Sequence, residues 1–155
     1  MHNCFGYILM TIILKTEVTG HYLTVMEQFD LQLFEALRPP VGMTIREFTG
    51  SKKGDRVILD FRLPAKFRWQ SDIVEDGHDD ERAWFIDEGF ILPWPLKSWR
   101  HKHIVEKIDS ESSTIIDHIS YECSNAILTS ALKPLLYGAF YPRKKIYKQY
   151  FSNNQ

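Results

Sequence analysis

Two histidines spaced two residues apart are the side chains in this sequence best suited to chemistry. His101 and His103 lie in the segment WRHKHIVEKI, and Trp99 precedes them with the same spacing. The segment predicts a β-strand, in which residues i and i+2 point to one face roughly 7 Å apart. Trp99, His101 and His103 would therefore form one stripe. An imidazole in such a stripe can ligate a metal, transfer a proton or present a polar tip from an otherwise apolar ring.

The case for a metal depends on the turn DSES, which separates this strand from the next one. A symmetric turn of two or four residues would place His118 opposite His103, whereas a three-residue turn would place Asp117 or Ile119 there. A metal site needs at least three ligands around one point. Only one register supplies a third imidazole, so we expect the stripe to serve structure or pocket polarity without binding a metal or another cofactor.

Length and charge indicate one domain that does not act on polyanions. A chain of 155 residues most often forms a single domain, which we assign to residues 1–155. The formal net charge of -1 provides no field that would attract nucleic acid or an anionic membrane. The basic run at 143–145 and the acidic run at 76–81 are typical of solvated surface segments. Oligomeric state is left open by the sequence.

The apolar N-terminal run CFGYILMTIIL predicts a strand and no stable membrane insertion. It covers residues 4–14, far fewer than the ~20 residues needed to span a bilayer. No basic segment precedes it, as a signal peptide would require. Met10 is a candidate start, which would make residues 1–9 an extension. Cys4 and Cys123 have no metal-type spacing, and this favours a reduced, cytoplasmic location.

The periodicity of the chain predicts a strand, two short helices, six further strands and a long C-terminal helix. The first strand spans about 8–19, and Asp30 is a candidate N-cap for the second helix. Pro93 and Pro95 require a loop between two of the later strands. The closing segment, 125–151, has helical spacing with a kink expected near Pro142. Such an order predicts an α+β fold whose helices gather on one face of an antiparallel sheet.

Several segments resemble the START-like, Bet v 1-like superfamily (SRPBCC, polyketide cyclase/dehydrase type), and specifically a bacterial ligand-binding subgroup. The resemblance covers Met10 to Phe151, and the segments that carry it are TVMEQFD, LFEALRPP, FIDEGF, SWRHKHIVEKI and STIIDHISYE. It implies the helix-grip fold, in which a curved antiparallel sheet wraps around the C-terminal helix. It also implies an apolar cavity between sheet and helix, which we expect at roughly 300–1,000 Å³. The predicted ligand-binding residues are Trp69, Trp84, Phe85, Trp99, His101, His103, Leu132, Leu136 and Phe140.

Three functions remain open at this point. The favoured one is binding of a small apolar or aromatic molecule in the cavity, without catalysis. The alternative is an enzyme of polyketide cyclase or dehydratase type, with His101 or His103 as the general base. The third is a protein-interaction module, because one fold hosts many functions. The sequence itself reveals no acid–base pair at a position that the resemblance assigns.

Overall fold

The computed structural model describes residues 8–153, so most of the extension expected at 1–9, including Cys4, lies outside the described residues. The described chain forms seven strands and four helices. The strands are β1 (Met10–Thr19), β2 (Met43–Phe48), β3 (Arg56–Phe61), β4 (Phe67–His78), β5 (Arg82–Ile91), β6 (Leu96–Lys107) and β7 (Ser112–Cys123). The helices are α1 (Tyr22–Glu27), α2 (Leu31–Leu37), α3 (Ala126–Phe140) and α4 (Arg143–Asn153).

All seven strands form one antiparallel sheet in the order β1-β7-β6-β5-β4-β3-β2. Register shifts interrupt the β2–β3, β4–β5 and β6–β7 ladders. Such bulges bend a strand and increase its twist, which curves the sheet. The helices contact the concave side at β1, β5, β6 and β7. The predicted α+β helix-grip arrangement is confirmed.

The two short helices form as the sequence predicts. Asp30 adopts an extended conformation, and its side chain accepts a hydrogen bond from the Leu33 amide, so it is the N-cap of α2. α1 buries Tyr22 and Val25, and α2 buries Leu33 and Leu37. These side chains join the largest of the three apolar clusters of the described residues, which also contains side chains of β1, β4, β5, β6 and β7.

The C-terminal helix is broken at the expected place. α3 ends at Phe140 and α4 begins at Arg143, with Pro142 between them. Proline has no amide hydrogen to donate to the preceding turn, so a continuous helix is disfavoured there. α4 buries Tyr147 and Phe151 against the sheet, whereas Thr129 is the side chain of α3 that is fully buried. Among the described residues, no helix has the length and apolar character needed to cross a bilayer.

Candidate functional site

The register of the β6–β7 hairpin decides what faces the histidine stripe. Lys107 pairs with Ser113, so the turn contains an odd number of residues and His103 lies opposite Asp117. His118 lies opposite Lys102. Because side chains alternate along a strand, His118 points to the outer face and contributes no third imidazole. The structure therefore brings a carboxylate to His103 and directs His118 away from it.

Two carboxylates enclose the two imidazoles. Asp87 on β5 places its Oδ2 atom 2.9 Å from His103 Nε2 and 3.7 Å from His101 Nδ1. Asp117 on β7 places its Oδ1 atom 2.9 Å from His101 Nε2 and 3.9 Å from His103 Nδ1. Each carboxylate thus faces one nitrogen of each ring, and the ring centroids are 3.7 Å apart. We call these four residues the His–Asp cluster.

The His–Asp cluster is buried, and burial determines its electrostatics. Desolvation, followed by the nearby His101, lowers the pKa of His103 to about 4. Desolvation also opposes ionisation of Asp87 and Asp117, but hydrogen bonds and charges from the histidines outweigh it and hold the pKa of both carboxyls below the usual range. His103 is therefore neutral at pH 7 while both carboxylates are ionised.

Aromatic rings cover the His–Asp cluster on several sides. Phe85 stacks on His103 with ring centroids 4.1 Å apart and an interplanar angle of 10°. Phe140, at the end of α3, meets His101 edge to face at 5.4 Å. Such contacts exclude water and strengthen the polar interactions that they enclose.

Polar side chains extend the cluster on two sides. The Tyr147 hydroxyl of α4 donates to Asp117 Oδ1 at 3.4 Å. Burial and the adjacent Asp117 carboxylate raise the pKa of Tyr147, so the phenol keeps its proton. On the other side, the nearby Ser71 hydroxyl helps to lower the pKa of Asp87, and the Trp69 indole donates to the Ser71 hydroxyl at 2.9 Å.

Most of the predicted ligand-binding residues are on the concave side of the sheet. Phe85, Trp99, His101 and His103 are buried there. Trp69 is half-buried and meets Trp99 edge to face at 4.9 Å. The three helix positions, which are half-buried on the side of α3 that packs against the sheet, are Leu132, Leu136 and Phe140.

Trp84 is the exception, and its placement corrects the sequence-based interpretation. It lies opposite Ile104 on the outer face of the sheet, and its indole donates to Glu75 at 3.0 Å. Trp84 and Phe85 are adjacent on one strand, so alternation forbids both from lining the same cavity. Trp84 borders an outer-face depression of about 230 Å³. A second depression, about 490 Å³ in volume, lies near the β4–β5 turn and includes Arg82.

Sequence reasoning missed Asp87 and Tyr147 as members of the site, and it named Asp117 only as one of two residues that an odd-numbered turn could place opposite His103. A signal for the two carboxylates was present. Asp117 stands between Ile115 and Ile119 at a spacing of two, and Asp87 follows Phe85 with the same spacing. A charged residue on the apolar face of a strand must find a partner in the interior. Tyr147 gave no comparable signal, because its contact depends on how α4 packs.

Comparisons with known proteins concern the fold. No protein-family model and no curated protein matches the sequence. Among solved structures, norcoclaurine synthase from Thalictrum flavum, in complex with dopamine and hydroxybenzaldehyde, aligns over 96% of this chain and 90% of its own, with 12% identity and a TM-score of 0.73. Major latex-like protein 151 from Panax ginseng aligns over 89% of this chain and 95% of its own, with 17% identity and a TM-score of 0.58.

A third similar structure has two domains. The di-domain ARO/CYC StfQ from the steffimycin biosynthetic pathway aligns over 94% of this chain and 52% of its own, with 10% identity and a TM-score of 0.67. Identities this low establish architecture without activity. Assignment to a bacterial subgroup stays a prediction. In its seven-stranded curved sheet, its paired short helices and its bent C-terminal helix, this chain has the same helix-grip fold as these structures.

Proposed function

We propose that this single-domain protein binds a small apolar or aromatic molecule between the concave face of the sheet and α3. The observation that carries the proposal is the incomplete burial of the α3 side chains that face the sheet. Leu132, Leu136 and Phe140 are half-buried, whereas Trp99 and Ile119 beneath them are buried. Apolar surface left partly uncovered on the inside of a fold favours a ligand that covers it.

The polar groups near this surface suit a small-molecule site. Ligand pockets combine mostly apolar walls with a few polar groups that fix orientation. Here Trp99 connects the two regions, since it packs against Trp69 and also meets His101 edge to face at 6.1 Å. A flat ligand lying against Trp69 and α3 would direct one end toward the His–Asp cluster. The aromatic molecules in the complex of norcoclaurine synthase support a ligand of this kind.

The second candidate function is catalysis of cyclase or dehydratase type. It is favoured by the 2.9 Å bonds from His101 to Asp117 and from His103 to Asp87. A carboxylate that fixes the tautomer and orientation of an imidazole is the arrangement that general-base catalysis uses. His101 or His103 would then remove a proton from the bound molecule. We also propose a cytoplasmic location, because within residues 8–153 the buried Cys123 is a free thiol.

Native mass spectrometry of protein purified without denaturant tests the binding proposal. We expect a retained molecule of a few hundred daltons that dissociates when the protein is unfolded. Its structure would then identify the substrate class for the catalytic candidate. Protein that retains no molecule, and that also fails to take up any member of a panel of apolar and aromatic compounds, would contradict the proposal.

A further inference from the structure

We propose that Asp87, His101 and His103 form a site for a divalent transition metal such as Zn²⁺. One potential donor atom from each of the three buried residues lies within 4.8 Å of the others. Asp87 Oδ2 already stands 2.9 Å from His103 Nε2 and 3.7 Å from His101 Nδ1. Ligand atoms about 2.0–2.2 Å from one zinc ion lie roughly 3–4 Å from each other, so small side-chain rotations suffice.

The ligand types match this class of metal. Neutral imidazole and carboxylate together suit zinc, iron, nickel and copper, whereas calcium and magnesium prefer oxygen ligands alone. Two imidazoles and one carboxylate would leave at least one coordination position for water or another small ligand. A site with three protein ligands and an open position is the form that zinc takes in catalytic centres, whereas structural zinc sites have four protein ligands.

Asp117 supplies the outer support that such a site requires. With His101 Nδ1 directed to the metal, its opposite nitrogen, Nε2, donates to Asp117 Oδ1 at 2.9 Å. Metal-bound histidines almost always hold their second ring nitrogen in this way. Asp117 itself accepts a hydrogen bond from Tyr147. The Ser71 hydroxyl lies near the other carboxylate, Asp87, and helps to lower its pKa.

The second ring nitrogen of His103 has an unmet hydrogen-bonding capacity that bears on metal binding. His103 is 8% exposed, and within residues 8–153 its Nδ1 atom is buried without a hydrogen-bond partner. A proton on Nε2, which the contact with Asp87 favours, leaves Nδ1 without one. A metal at Nε2 would move the ring proton to Nδ1, which faces Asp117 at 3.9 Å. Metal binding at Nε2 would thus point an N–H of His103 toward the Asp117 carboxylate, and a small rotation of the ring would bring the two within hydrogen-bond distance.

Charge also favours a cation. Two carboxylates buried in one cluster are costly unless positive charge compensates them. Around the His–Asp cluster, His101 and His103 hydrogen-bond to the carboxylates, and the positive charge of Arg143 acts on Asp117. A divalent ion bound between Asp87 and the two rings would offset the charge of Asp87 directly and that of Asp117 through His101. The sequence-based expectation of no metal rested on the lack of a third histidine, and Asp87 fills that role.

Titration of the EDTA-treated protein with Co²⁺, followed by visible absorption, and competition with Zn²⁺ test this site. We expect one ion per chain. His103→Ala and Asp87→Asn should each weaken binding by at least about 100-fold, and Asp117→Asn, which alters only the outer support, by about 10–100-fold. His118→Ala is the matched control, since His118 lies on the outer face of the neighbouring strand. The His118→Ala variant should bind Co²⁺ with the same affinity as the unaltered protein.

Circular dichroism of each variant separates loss of a ligand from loss of the fold. If His103→Ala does not fold, the near-isosteric Asp87→Asn variant decides the question. Failure of the folded, EDTA-treated protein to bind Co²⁺ or Zn²⁺ at about 100 µM would overturn the proposal, and so would binding that Asp87→Asn leaves unchanged. Retention of an organic molecule is measured separately, so either proposal can fail while the other stands.

Discussion

His103 lies directly opposite Asp117 in the β6–β7 ladder, yet its Nε2 atom bonds to Asp87 on the other neighbouring strand. His101 shows the reverse arrangement, for it lies opposite Asp87 and bonds to Asp117. Side chains lean along the strand direction, so diagonal partners in a sheet come within reach. The crossed bonds connect three strands through four side chains, and removal of one member leaves a buried group unsatisfied.

Asp117→Asn should lower the free energy of unfolding of metal-free protein by about 1–3 kcal/mol, because hydrogen bonds from His101 and Tyr147 lose their charged acceptor. Urea denaturation in the presence of EDTA measures this change. Asp72→Asn is the control. Asp72 pairs with Arg56 on the outer surface, where such an interaction contributes about 0–1 kcal/mol. Equal effects of the two substitutions would show that the His–Asp cluster does not stabilise the fold.

The metal-free protein should lose stability on mild acidification. The pKa of His103 is about 4 in the folded chain, against an ordinary value of 6.5, so the unfolded state takes up a proton first. The contribution of His103 to the free energy of unfolding is therefore fully present above pH 6.5. It is lost as the pH falls toward 4, and the total loss is about 3 kcal/mol. Thermal unfolding at several pH values with EDTA present measures the loss. His103→Gln should flatten the curve in this window, and an unchanged slope would contradict the assignment.

Leu132→Trp should weaken binding of an apolar fluorescent dye by about tenfold or more, because the larger ring occupies the space between α3 and the sheet. Leu135→Trp is the matched control on the same helix, since Leu135 is 69% exposed. Dye titration of both variants, with circular dichroism to confirm folding, gives the comparison. If both substitutions lower the affinity for the dye equally, the dye does not bind between α3 and the sheet.

Asp30→Ala should cost about 1 kcal/mol of stability, because the first turn of α2 loses the acceptor for the Leu33 amide. Gln32→Ala, at an exposed position of the same helix, should change the free energy of unfolding by less than about 0.5 kcal/mol. Chemical denaturation of both variants tests the expectation. A neutral Asp30→Ala substitution would mean that packing of Leu33 and Leu37, and not the cap, holds this helix.

Local pattern was sufficient for most of the fold. Alternation of apolar residues predicted the later strands, and Asp30 and Pro142 marked the start of α2 and the break before α4. These features depend on interactions between residues close in sequence, such as a cap or a missing amide hydrogen. The stripe of Trp99, His101 and His103 was predictable for the same reason, since a strand has a period of two.

Trp84 shows where pattern alone misleads. Both it and Phe85 are aromatic residues in a strand, and composition suggested two walls of one cavity. The packing of the whole sheet determines which side of a strand faces the interior. Phe85 is buried there, whereas Trp84 lies on the outer face and donates a hydrogen bond to Glu75. Aromatic character indicates surface that can be buried, but it does not indicate the face.

The sequence by itself determined that two imidazoles share one face of β6. Only the tertiary structure decided what meets them there. The odd-numbered turn after Lys107 directs Asp117 inward and His118 outward, and the pairing of β5 with β6 brings Asp87 to the opposite side. A shift of one residue in either ladder would exchange the two faces of a strand. Register depends on turn geometry and on packing across the sheet, so residues distant in sequence complete the site.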